Sequence, residues 1–126
     1  MRWIGWVLLC GCFHMAYVLR LSAGVLREPL SAEFTLSASS FGLMSSMVFY
    51  AYTLLQIPSG VLADTRGVRS TVAGGMALAG AGALLFASAR SLPALFFGRA
   101  LMGVGVAGIF VCAMKFLAES FERERF

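Results

Sequence analysis

Charge is what this sequence is shortest of. Only 13% of its 126 residues are charged, against about 25% in an ordinary soluble domain. Asp and Glu number six in all, and none falls inside a long apolar run. Histidine occurs once, as His14. Cys10, Cys12 and Cys112 form no CxxC pair, which leaves neither a disulfide framework nor a zinc site to expect. There is no Ser-His-Asp set, no paired catalytic carboxylates and no phosphate-cradling loop, so neither an enzyme nor a cofactor is expected. The net charge of +4 comes from basic residues scattered between apolar runs. Without a stripe they make no nucleic-acid face.

Apolar length is what the chain has instead. Hydrophobic residues make up 60% and the mean hydropathy is +0.85. A domain this small needs far more polar surface to stay in water. Four runs reach the length of about 20 residues that a bilayer demands: 3–26, 41–63, 71–89 and 94–117. At the helical rise they are about 28 to 36 Å long. The fold class expected is therefore all-α, a polytopic membrane helix bundle of four transmembrane helices. The connections are short and polar, which makes the helices antiparallel neighbours. Residues 27–37 are read as the longest loop, with Pro29 opposing a helix and Ser37 capping the next one. Residues 64–70 separate the second helix from the third. Leu9-Cys10-Gly11-Cys12 has a faint likeness to a lipoprotein cleavage site, but the apolar run continues past it, so the segment reads as a span.

Orientation follows from the basic residues. Arg2, Arg66, Arg69, Lys115, Arg123 and Arg125 lie at one set of helix ends, Arg27 and Arg90 at the other. The positive-inside rule puts the N-terminus in the cytoplasm and Trp3 and Trp6 at that interface. The third and fourth runs carry small residues at close spacing: Ala73, Ala77 and Ala81; Gly75, Ala79, Ala83 and Ala87; Gly98, Gly103, Gly105 and Gly108. In lipid such residues let backbones approach, and packing stands in for the missing hydrophobic drive.

The sharpest motif is Gly60-Val-Leu-Ala-Asp64-Thr-Arg66-Gly67-Val-Arg69 at the end of the second run. Gly60 would allow close helix approach, Asp64 would pair with a cation or cap a helix, and Gly67 would permit the turn. The segment resembles the signature loop of the major facilitator superfamily. Gly60, Asp64, Arg66, Gly67 and Arg69 match it, while Thr65 and Val68 stand where the family often has basic residues. Arg99-Ala-Leu-Met-Gly103-Val-Gly105 is similar to the family's fourth-helix motif. Phe121-Glu-Arg-Glu-Arg125 is similar to the segment leading to its fifth helix, without the proline often found there. Residues 50–60 have the look of its second helix.

The resemblance implies a secondary active transporter working by alternating access, with twelve helices in two halves and a site between them. Residues 1–126 are then a portion of the first six-helix half, a truncated chain that lacks the partner of Asp64 and would not transport alone. Gly60, Asp64, Arg66, Gly67 and Arg69 become its gating loop. Its expected partners are the lipid bilayer, a small solute and a coupling ion, proton or sodium. Its expected place is the cell (inner) membrane.

Arg20 and Arg99 are the expected substrate ligands. Charge inside a membrane is costly, so an intramembrane arginine faces a cavity or a partner. Both lie about 9 Å below the outer surface, and no intramembrane carboxylate neutralises them. This points to an anionic substrate, a carboxylate or phosphate ester. The competing readings are snorkelling for Arg20 and a structural bond to a carbonyl for Arg99. Tyr17-Val-Leu-Arg20 resembles the first-helix arginine of the family's organophosphate and organic-anion branches. Ser45, Tyr52, Gln56 and Ser59 share one helical face that would line the path or bond between helices. Tyr17, Tyr52 and Gln56 complete the expected substrate-binding set. His14, one turn from Cys10, is read as a helix contact ahead of a metal pair or a proton-coupling group. Two other functions compete: a self-assembling four-helix exporter of the small multidrug type, which would need a first-helix glutamate that is absent, and a non-transporting membrane anchor or assembly subunit.

Overall fold

The computed structural model describes residues 2–121. They form five helices: α1 Arg2–Val25, α2 Arg27–Phe34, α3 Ala38–Arg66, α4 Val68–Ala87 and α5 Leu92–Phe121. All but α2 are long and apolar enough to cross a membrane. No strand occurs among the described residues.

Residues 27–34 correct the expectation of a loop, because they form the short helix α2. Pro29 sits in its first turn, where a missing N–H breaks no helical bond. The helix stops at Thr35, which takes the left-handed conformation with φ 49° while its N–H bonds the Ser31 carbonyl. Ser37 caps α3 as expected: its hydroxyl accepts the Ser40 N–H at 3.1 Å. The separation expected over residues 64–70 shrinks to one residue, since α3 runs to Arg66 and only Gly67 stands between it and α4. Gly67 has φ 83° and ψ 158°, a region that is essentially glycine's alone.

The core is organised around α5. Helices α1, α3 and α4 all pack chiefly against it, and α3 scarcely touches α4. The reason is the stripe of small residues. A Cβ on Gly105 would run into the backbone of Ala79 and Gly75, and one on Gly103 into the Val48 carbonyl. A Cβ on Gly82 would stand 2.7 Å from the Met102 nitrogen. Glycine at these positions lets α4 and α3 close onto α5, with dispersion contacts supplying what lipid-soaked helices cannot gain from water. Met44, Val48, Leu95, Met102, Val106 and Ile109 fill the space so enclosed. Gly60 does not belong to this set: an added Cβ there would meet Val111 at an ordinary 3.7 Å, so the close approach expected of it falls elsewhere within this chain. The outward faces are apolar too. Ile57 and Leu54 are 82% and 75% exposed, as suits a surface bathed in hydrocarbon.

Candidate functional site

Among the described residues Arg99 is the most buried charge, with none of its surface exposed. α5 carries it into the angle between α1 and α3, and its fork ties the two together. Nη1 donates to the Leu19 carbonyl at 2.8 Å and to Ser22 Oγ at 3.4 Å. Nη2 donates to the Arg20 carbonyl at 3.1 Å and the Ser45 carbonyl at 3.3 Å. A planar guanidinium with five donors in a rigid fork suits this task better than an ammonium, whose three donors radiate from a single nitrogen. The geometry is that of the carbonyl-bonded arginine, fully buried among the described residues.

Arg20 is placed differently. Its guanidinium lies 3.9 Å from the centre of the Tyr52 ring and 5.4 Å from that of Tyr17. A cation over a ring face is stabilised by about 0.5–2 kcal/mol, more where water is excluded. The Tyr52 hydroxyl in turn accepts the Gln56 amide at 2.8 Å. Tyr17, Arg20, Tyr52 and Gln56, each a candidate from one-dimensional spacing, therefore form one cluster between α1 and α3. The Nε of Arg20 and that of Arg99 are both buried with no hydrogen-bond partner among the described residues, so what sets Arg20 apart is that its guanidinium rests on rings and holds no carbonyl among them. Neither Arg20 nor Arg99 has a carboxylate partner among the described residues. The cluster presents positive charge on an aromatic and amide face, with nothing in the described chain to neutralise it.

The two arginines are linked through one peptide. Arg99 holds the carbonyl of Arg20, so the backbone that carries the Arg20 side chain is fixed from behind. Ser22 and Ser45 complete this arrangement, and sequence reasoning does not mark either as a partner of Arg99. Ser22 signals itself only as a polar residue in an apolar run; Ser45 also shares the helical face of Tyr52 and Gln56, yet Arg99 takes its carbonyl, and its hydroxyl is buried with no partner among the described residues.

At the opposite end of the bundle, Asp64 pairs with Lys115 of α5, Oδ1 to Nζ, at 2.6 Å. Lys115 also donates to the Ala63 carbonyl at 3.2 Å and lies 3.8 Å from Glu119. The cation expected for Asp64 is thus present within this chain, 51 residues on. Arg66 and Arg69 are exposed and pair with nothing described. His14 is exposed, beside Cys10 in an open groove between α1 and α5, so the helix contact expected of it is not made by the described residues. Arg123 and Arg125 lie outside the described residues.

Four helices long and apolar enough to span a membrane, three of them tied together by a buried arginine, with a cation on a polar face between two of them, define a polytopic membrane protein. The chain belongs to the Major Facilitator Superfamily, whose sequence model matches residues 8–126. Among curated proteins it is 34% identical to probable anion transporter 1, chloroplastic, of Oryza sativa subsp. japonica, over 90% of this chain and 22% of that protein. It is 32% identical to sodium-dependent phosphate transport protein 1, chloroplastic, of Arabidopsis thaliana, over 90% and 22%. It is 28% identical to a probable sulfoacetate transporter of Cupriavidus necator, over 85% and 25%. The chain thus spans 22–25% of the length of these relatives. No solved structure matches it.

Proposed function

We propose that the chain forms the first four membrane helices of a secondary transporter that moves a small organic or phosphorylated anion by alternating access. The observation that carries this reading is Arg20, whose guanidinium lies on the rings of Tyr52 and Tyr17 with no carboxylate partner among the described residues. An anion would supply the missing counter-charge through charge-assisted hydrogen bonds, the strong kind. Tyr17, Tyr52 and Gln56 would shape its surroundings. In this reading Arg99 holds α1 and α3 in register and does not touch the substrate. The relatives named for anion, phosphate and sulfoacetate transport support the substrate class.

Residues 60–69 act as the gating loop, with Asp64 and Lys115 latched in one state and released in another. A proton or sodium ion drives the cycle. The N-terminus and the Asp64 end face the cytoplasm, and the protein sits in the cell's inner membrane.

The test is uptake by the full-length product of the gene in proteoliposomes, offered phosphate, a phosphate ester, a carboxylate and a sulfonate in turn. Saturable uptake of at least one, lost in Arg20→Met at normal expression, is the expected result. Uptake of none of these anions, with uptake of cations or neutral solutes, would sink the proposal, as would an Arg20→Met protein of unchanged affinity.

A further inference from the structure

Because α3 and α4 both lean on α5 and hardly on each other, a groove of about 470 Å³ is left between them. Gly105 and Gly108 of α5 form its floor, Leu55 of α3 and Leu78 of α4 its inner walls, and Arg66 and Ser70 its mouth. We propose that this groove holds one acyl chain of an anionic phospholipid, with Arg66 on the headgroup phosphate.

Three observations carry this. The groove lining is mostly apolar, broken midway by Ser59 and carrying its only charge, Arg66, at one end, a pattern closer to a lipid than to a free anion. Thr71 also lines it, but its hydroxyl is already engaged with the Gly67 carbonyl at 2.9 Å. From Arg66 to Leu55 is about 17 Å of helix, close to one leaflet's share of a hydrocarbon core about 30 Å thick. Arg66 is exposed at the mouth and makes no ion pair among the described residues. Basic residues at the membrane surface draw anionic lipid through this kind of charge complementarity, screened within a Debye length.

Gly74 makes the proposal testable, because it lines the groove and an added Cβ there meets nothing within 4 Å. Gly80, on the same helix but not lining the groove, is equally open and serves as control. The full-length protein is extracted from membranes of mixed phosphatidylglycerol and phosphatidylcholine, and retained lipids are counted by native mass spectrometry. The wild type should keep a phosphatidylglycerol in preference to phosphatidylcholine. Gly74→Leu should lose it and Gly80→Leu keep it. Arg66→Gln should lower the preference about fivefold, the weight of one basic residue near an anionic surface. Equal retention of both lipids by the wild type overturns the proposal. So does undiminished phosphatidylglycerol in Gly74→Leu, which would mean that another protein segment covers the groove. Should Gly74→Leu fail to fold, Arg66→Gln decides alone: an unchanged preference overturns the headgroup contact.

Discussion

Replacing Arg99 separates a clamp from a ligand. Its fork makes three bonds to backbone carbonyls, at 2.8, 3.1 and 3.3 Å. Charge-assisted bonds of this kind contribute about 1.5–3 kcal/mol each in soluble proteins, but polar contacts between membrane helices average about 0.6 and reach about 1.7. Three of them therefore amount to about 2–5 kcal/mol. Arg99→Met keeps an apolar side chain in the site and abolishes the burden of a buried charge, which returns some of that sum. A net loss of about 2 kcal/mol is expected. Arg99→Lys keeps the charge, loses the fork and strands donors between the helices, so it should be the less stable of the two. Reversible unfolding of the full-length protein in a denaturing detergent reads both values. Anion binding, read by ligand-induced stabilisation, should weaken modestly in Arg99→Met and by about a hundredfold in Arg20→Met, within the range for truncating one partner of a buried charge pair. An Arg99→Met protein as stable as wild type but unable to bind the anion would refute the clamp, and so would Arg99→Lys outlasting Arg99→Met.

Three further outcomes follow from the geometry. Asp64→Asn should change detergent stability by no more than about 1 kcal/mol, the usual range of a solvent-exposed ion pair, while slowing transport; a large stability loss with normal turnover would contradict the latch. Gly103→Val should cost about 1–3 kcal/mol or block folding, since its side chain would press into the α3 backbone at Val48, whereas Gly80→Ala should be neutral in the same unfolding assay. Gly67→Ala should cost about 1–3 kcal/mol, because no side chain is comfortable at φ 83°, and unfolding of the purified variant checks it.

The four spans are legible in the sequence because hydropathy and length are local properties, and the lipid solvent makes them decisive. The cap at Ser37 is legible for the same reason, as its bond closes within three residues. Helix α2 is not, because proline in a short polar stretch reads as a breaker, whereas Pro29 stands in the first turn, where its missing N–H breaks no helical bond. In the candidate site, the residue types and the helical face are readable: Tyr52 and Gln56 lie four apart on α3 and bond as such. Their meeting with Arg20 is not, since it depends on how far α1 and α3 rotate about their axes. For α3 that rotation is set where Gly103 of α5 meets the Val48 backbone, and for α1 by its own packing on α5, neither of which is local in sequence. The partner of Asp64 is hidden similarly. In the sequence Lys115 is only one of several basic residues at a helix end, and its pairing arises from α5 crossing beside the end of α3.

The position of α5 has a consequence for how the chain is made. Ribosomes deliver helices in order, so α1, α3 and α4 enter the bilayer before the helix they all pack against. At about 5–20 residues per second, the interval before Leu92–Phe121 follows them lasts seconds. Throughout it the Leu19, Arg20 and Ser45 carbonyls lack the guanidinium that ties them, and the glycine-contacted faces of α3 and α4 stay open to lipid. Assembly of this bundle is therefore a late event, triggered by the arrival of one helix, and a nascent chain halted before α5 offers the cell's quality-control proteases three spans with no common partner.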